Sequence, residues 1–206
     1  MVKISRLLDL SIKRLSAIEL SLLHGCKIES RTLCGRHIKI TVDGGNIFLT
    51  NCKIEDHVHF TIQGDGCGKI SVGDKTIVRP YCFFDSWDGA KISIGAHNWV
   101  NMFTRITSRN LVKIGSYCFI GEGVSIHDYN HLYSNPKLSI KEQGMEDKEV
   151  IIGDDCMIGA KVTIVAGVRI EDGAVIGANA VVTRDIPKNA IAMGIPAEIV
   201  GYRGEG

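Results

Sequence analysis

From Ile152 the chain reads IGDDCM, IGAKVT, IVAGVR, IEDGAV, IGANAV, VTRDIP, so a β-branched aliphatic returns at every sixth residue without a gap: Ile152, Ile158, Ile164, Ile170, Ile176 and Val182. Neither an α-helix nor an alternating strand has that period. The fifth place of each unit holds Cys156, Val162, Val168, Ala174, Ala180 or Ile186, all small or apolar, and places two to four are mostly glycine or polar. This hexad is the signature of a parallel β-helix, in which each unit is one short flat side and three sides make a triangular coil. Coils stack at strand spacing, roughly 4.8 Å, with the aliphatic places turned into a narrow core.

With insertions allowed at corners, the register runs back through Ile28, Cys34, Ile40; Phe48, Ile54, Phe60; Val72, Val78, Phe84; Ile94, Val100, Ile106; and Ile114, Ile120, Ile126. About seven coils result. Ile126 and Ile152 lie 26 positions apart where six would keep time, so about 20 residues are extruded, a loop over 127–151. Most cysteines fall on the clock, Cys34 at a first place and Cys52, Cys82, Cys118 and Cys156 at fifth places, where a free thiol packs as a small hydrophobe. Cys26 and Cys67 lie off it.

Residues 3 to 23 place Ile4, Leu7, Leu8, Leu15, Ile18 and Leu22 on one side at helical spacing. A helix over 1–25 capping the first coil is expected. Its basic face, Lys3, Arg6, Lys13 and Arg14, gives an alternative reading as a weak membrane-surface contact. The predicted organisation is a helical cap over 1–25, an all-β body over 26–187 and a tail over 188–206.

The 206 residues carry a formal net charge of +1, so nothing drives the whole chain toward nucleic acid or an anionic membrane. No apolar run reaches the length of a membrane span, and the first residues lack a secretory signal pattern. Seven cysteines without a compact spacing fit a reducing compartment, and a cytoplasmic location is expected.

The stretch VSIHDYNHLYSNP, Val124 to Pro136, crowds two histidines, an aspartate and an asparagine together where the clock stops. With the repeats, this D-x-N-H segment, the EQG of the loop and the closing G-x-P-A turn, residues 114–200 resemble the hexapeptide-repeat acyltransferases, most of all the galactoside, maltose and surface-polysaccharide O-acetyltransferases. The resemblance implies a left-handed parallel β-helix, although parallel crossovers in general prefer the right hand. It also implies a homotrimer with sites between neighbouring subunits, acetyl-CoA as donor and no required metal.

Transfer of acetyl to a hydroxyl needs a base, and imidazole is mostly neutral yet basic enough near neutral pH. By resemblance His131 is the base; His127 is the alternative. Asp128 would orient the ring, or else serve the turn, and Asn130 would hold acceptor or oxyanion. No nucleophile elbow is present, so direct transfer in a ternary complex is the simpler mechanism.

The resemblance carries the coenzyme site onto Met157, Gly159, Ala160, Gly177, Ala178, Thr183 and Arg184, then the turn from Gly194 to Pro196, with Lys188 or Arg203 assisting Arg184 on phosphate. Relatives often carry tryptophan at Met157 and a basic residue at Glu198. The acceptor, expected to be a saccharide, would meet the loop, Asp85, and Trp87 or Trp99. Three alternatives stay open: N-acetylation of a nucleotide amino sugar, a non-catalytic trimeric scaffold, and a zinc carbonic anhydrase-like lyase using His97, His127 and His131.

Overall fold

The computed structural model describes residues 8–9, 26–28, 31–64, 67–87 and 89–205. Three stacked sheets, of eight, seven and nine strands, form the faces of a β-solenoid of about seven turns. Apart from the first and last strand pairings, neighbours within each face are parallel and in register.

The hexad explains the wall. First-place residues stack into three inward columns: Leu49, Val72, Ile94, Ile114, Ile152 and Ile170 on the seven-stranded face; Cys34, Ile54, Val78, Val100, Ile120, Ile158 and Ile176 on the nine-stranded face; and Ile40, Phe60, Phe84, Ile106, Ile126, Ile164 and Val182 on the eight-stranded face. Nearly all of the described members are buried. Each buried aliphatic stabilises the stack by roughly 1.5–3 kcal/mol relative to exposure.

One column member differs from the expected register. Leu49, not Phe48, faces the core of the second coil, and Phe48 lies on the outer surface under the Lys69 ammonium. In Gly45–Leu49 the strand alternates Ile47 in, Phe48 out, Leu49 in. Three consecutive large apolar residues hide that alternation from a period count.

The fourth place of the hexad is where the chain turns. Asp155, Lys161 and Asn179 have φ between 54° and 61°, a left-handed backbone that strains any residue with a Cβ. That cost, roughly 1–2 kcal/mol per residue, accounts for the polar and glycine-rich corners. In the earlier coils large rings occupy these strained positions, and they stack from coil to coil: His37 on His57 at 4.7 Å, His57 on Tyr81 at 4.9 Å, and Tyr81 on Phe103 at 5.4 Å.

Cys52, Cys82, Cys118 and Cys156 are buried as the clock requires, Cys34 is half-buried and Cys67 is exposed. Burial pushes the Cys34 thiol up to about 11 and those of Cys52 and Cys82 up to about 12. The expected N-terminal helix falls mostly outside the described residues. Within it, Leu8–Asp9 is not helical but pairs antiparallel with Lys39–Val42, giving the first of the parallel strands of the eight-stranded face a hydrogen-bonding partner. Among the described residues no helix is long and apolar enough to cross a membrane.

Candidate active site

The extruded segment is a small folded unit. Tyr129–His131 pairs antiparallel with Met145–Asp147, and between them Ile140–Gln143 makes one helical turn. The Glu142 carboxylate accepts from the Ser139 backbone N–H at 3.1 Å and hydroxyl at 2.7 Å, and these bonds lower its pKa. The hairpin leaves the solenoid at the corner between the eight- and seven-stranded faces.

Asp128 anchors that corner. Its carboxylate is fully buried and accepts from the Ser108 hydroxyl at 2.6 Å, the Arg109 amide at 2.7 Å and the Asn110 amide at 2.9 Å, while its carbonyl accepts from the Lys148 amide at 2.7 Å. The Arg109 guanidinium adds a 3.1 Å ion pair to Asp147. Of the two roles expected for Asp128, these bonds fit the turn and correct the orienting one: three donors hold the carboxylate, and among the described residues no hydrogen bond joins it to His127 or His131.

The two histidines have different surroundings. His131 is exposed on the hairpin, opposite Met145, its ring edge-on to Tyr129 at 6.4 Å. Among the described residues no hydrogen bond occupies its ring nitrogens. His127 is half-buried on the outer side of the eight-stranded face, where its Nε2 lies 2.7 Å from the Ser125 hydroxyl. Burial lowers its pKa, and the neighbouring Arg105 charge lowers it further against the opposing pull of Asp128. Asn130 is exposed opposite Glu146.

Register places His127 over Thr107, and Thr107 over Asp85; in the adjoining column Ser125 lies over Arg105 and Arg105 over Phe83. Arg105 pairs with Asp85 at 3.0 Å, and its guanidinium lies 5.8 Å from the Phe83 ring centre. Arg109 lies 5.9 Å from that of Trp87. The sequence reading names Asp85, Trp87 and His127 but not Arg105, Thr107 and Ser125, although the repeat reaches them: Thr107 lies 22 residues after Asp85 and 20 before His127, and Ser125 lies 20 after Arg105.

Of the residues expected to meet coenzyme, Gly159, Ala160, Gly177, Ala178 and the turn through Pro196 share the edge between the nine- and eight-stranded faces. The turn is bonded there, with Val181 N–H donating to the Gly194 carbonyl at 3.0 Å and Ala197 N–H to the Val181 carbonyl at 2.8 Å. At Gly159 a Cβ would lie 2.5 Å from the Ala178 amide nitrogen, so stacking of the coils itself requires glycine there. Thr183 and Arg184 are exposed just beyond Val181–Val182.

Arg203 departs from expectation. Its Nη1 donates to the Asp155 carboxylate at 2.9 Å and the Gly173 carbonyl at 3.0 Å, which holds it at the other edge of the nine-stranded face. Glu198 is exposed, paired with Met193. Met157 is 49% exposed and continues an outward column on the nine-stranded face through Trp99 and Phe119. His97 stacks on Tyr117 at 4.8 Å, at the corner between the seven- and nine-stranded faces, and among the described residues it forms no metal-binding group with His127 and His131.

Comparison with known proteins agrees with this architecture. Residues 149–184 match the family model described as the hexapeptide repeat of succinyl-transferase. WbbJ of Escherichia coli K12, provisionally described as a lipopolysaccharide biosynthesis O-acetyl transferase, is 30% identical over 161 residues, covering 75% of this chain and 81% of WbbJ. Rv3034c of Mycobacterium tuberculosis, provisionally described as an acetyltransferase, is 34% identical over 134 residues, 65% of this chain; the match spans only 42% of that longer protein. Among solved structures, the Vibrio cholerae hexapeptide-repeat acetyltransferase VCA0836, in complex with acetyl coenzyme A, superposes with a TM-score of 0.55 at 28% identity, covering 64% of this chain and 69% of that one. Repeat, solenoid and extent of similarity together show that this chain belongs to the hexapeptide-repeat acyltransferase family.

Proposed function

We propose that this chain transfers the acetyl group of acetyl-CoA to a saccharide hydroxyl, with His131 as general base. The observation that carries the assignment is the contrast between the two imidazoles: His131 is exposed on a braced hairpin with no hydrogen bond to its ring nitrogens among the described residues, whereas His127 already has Nε2 at the Ser125 hydroxyl. The name of WbbJ supports a hydroxyl acceptor on a saccharide.

In this reading the His131 ring takes the hydroxyl proton as the acceptor oxygen attacks the thioester carbonyl. The tetrahedral intermediate collapses by breaking the carbon–sulfur bond, and the imidazolium returns the proton to the departing thiolate. Oxygen gains the acetyl group, sulfur gains the proton, and no acyl-enzyme forms. The hairpin's ladder and the Asp128 and Arg109 braces supply the fixed placement that such alignment needs. Asn130, one residue before the base, is assigned to the acceptor or to the developing oxyanion.

The coenzyme lies along the edge built by Gly159, Ala160, Gly177, Ala178 and Pro196, with Arg184 on phosphate. The complete site is shared in a homotrimer. The outward column Trp99, Phe119 and Met157 is the surface suited to a second copy, because its exposed apolar groups lie in register on three successive coils. The seven-stranded face instead presents Lys69, Lys91 and Lys113. Acetyl-CoA incubated with the protein and a panel of saccharides, with free CoA as readout, tests the proposal. Saccharide-dependent release of CoA supports it, and its absence across neutral, acidic and amino sugars refutes it.

A further inference from the structure

Among the described residues the buried Thr107 hydroxyl has no hydrogen-bond partner, although the residue faces outward between Asp85 and His127. Buried polar atoms are nearly always satisfied, so an orphan hydroxyl needs an explanation. Its neighbours have capacity to spare. The hydrogen bond found for the Asp85 carboxylate is the one from Arg105, whereas a carboxylate offers about four acceptor sites. The Arg105 side chain that pairs with Asp85 beside this hydroxyl is itself 56% exposed.

We propose that the row Asp85, Thr107 and His127, edged by Arg105 and Ser125, is an acceptor subsite that recognises a saccharide through neighbouring hydroxyls, one donating to Asp85 and one accepting from Thr107. The inference rests on the proposed transfer to a saccharide and identifies where that saccharide is held. Register carries the row to the base of the hairpin, since His127 and His131 are separated only by the anchor Asp128 and Tyr129–Asn130. A purely structural hydroxyl would offer a partner to the protein itself, as Ser108 does to Asp128 and Thr104 to the Asn101 carbonyl. Thr107 does neither.

The experiment uses the full chain with methyl β-galactoside, methyl α-glucoside and maltose. Binding is followed without acetyl-CoA by saturation-transfer NMR, and turnover by CoA release. Thr107→Val removes the hydroxyl at nearly constant shape. It should hold or raise Tm, weaken saccharide transfer signals and raise acceptor KM about tenfold, equivalent to one net hydrogen bond, with kcat and acetyl-CoA KM within about twofold. Asp85→Asn should shift acceptor KM in the same direction. A raised Tm with unchanged acceptor KM and NMR signal in Thr107→Val overturns the subsite while leaving the transfer reaction standing. Saccharide binding that depends on Thr107 in a protein that releases no CoA sustains the subsite and overturns the reaction. No binding of any of the three sugars to the unmodified chain counts against both.

Discussion

Replacing Asp128 by asparagine separates an anchoring role from an orienting one. The carboxylate receives three hydrogen bonds, from a hydroxyl and two backbone amides, and all three are charge-assisted. An asparagine must turn its NH2 toward one side of that group. Facing Arg109, it leaves a backbone N–H opposite a donor; facing Asn110, it does the same there. One orphaned buried donor costs about 1–3 kcal/mol, and reducing the remaining charged bonds to neutral ones costs about 1 kcal/mol each. The expected destabilisation is therefore about 3–5 kcal/mol, which corresponds to a fall in Tm of about 6–20 °C for a chain of this size. Urea unfolding followed by circular dichroism measures the loss, and amide hydrogen exchange at Arg109 and Asn110 locates it. A stability within about 1 kcal/mol of the unmodified chain, together with a large fall in kcat, would refute the anchor and restore Asp128 as the residue that orients a catalytic ring.

Three further outcomes follow from the packing and titration of the solenoid. Leu49→Ala should cost about 2–5 kcal/mol and Phe48→Ala clearly less, as read by urea unfolding, because only Leu49 lies in the inward column. Gly159→Ala should destabilise by about 1–3 kcal/mol, since its Cβ would meet the backbone of the next coil at 2.5 Å. His59 and His127 both have pKa values lowered chiefly by burial, so below about pH 6.5 the unfolded chain binds protons that the folded one refuses. Stability should fall as pH drops from about 6.5 toward the lowered folded values, and Tm scans of the His59→Gln, His127→Gln double variant should show a flatter profile.

The solenoid was legible because one physical constraint, an aliphatic turned inward at each flat side, leaves a period that no other secondary structure shares. Ile152 through Val182 needed no adjustment, and the coils around Phe60 and Phe84 needed only the corner insertions. The period failed at Phe48 and Leu49, where apolar residues occupy both faces of a strand and only the backbone decides which points in. It was also silent about the N-terminal segment, whose Leu8–Asp9 takes a strand partner despite a helical spacing of apolar residues.

The candidate site was legible as a cluster but not as a geometry. Asp128 looked like a partner for imidazole because of its neighbours in sequence, yet its real partners, Ser108 to Asn110, lie a coil away, about 20 residues upstream. Arg203 looked free for phosphate until the fold brought Asp155 and the Gly173 carbonyl to it from 48 and 30 residues away. At Gly159 the neighbouring coil sets its own demand for a missing Cβ, which a single hexad does not display. In each case the deciding contact runs between coils, perpendicular to the chain. Equivalent places in successive repeats would have identified Arg105, Thr107 and Ser125 by the same reasoning.

The assignment of His131 as base is decided by kcat for CoA release at saturating saccharide in His131→Ala and His127→Ala. With His131 as base, kcat falls about 10²- to 10⁴-fold in the first variant, while the second largely keeps kcat and raises only acceptor KM. An unchanged kcat in His131→Ala, or the loss transferred to His127→Ala, would contradict it.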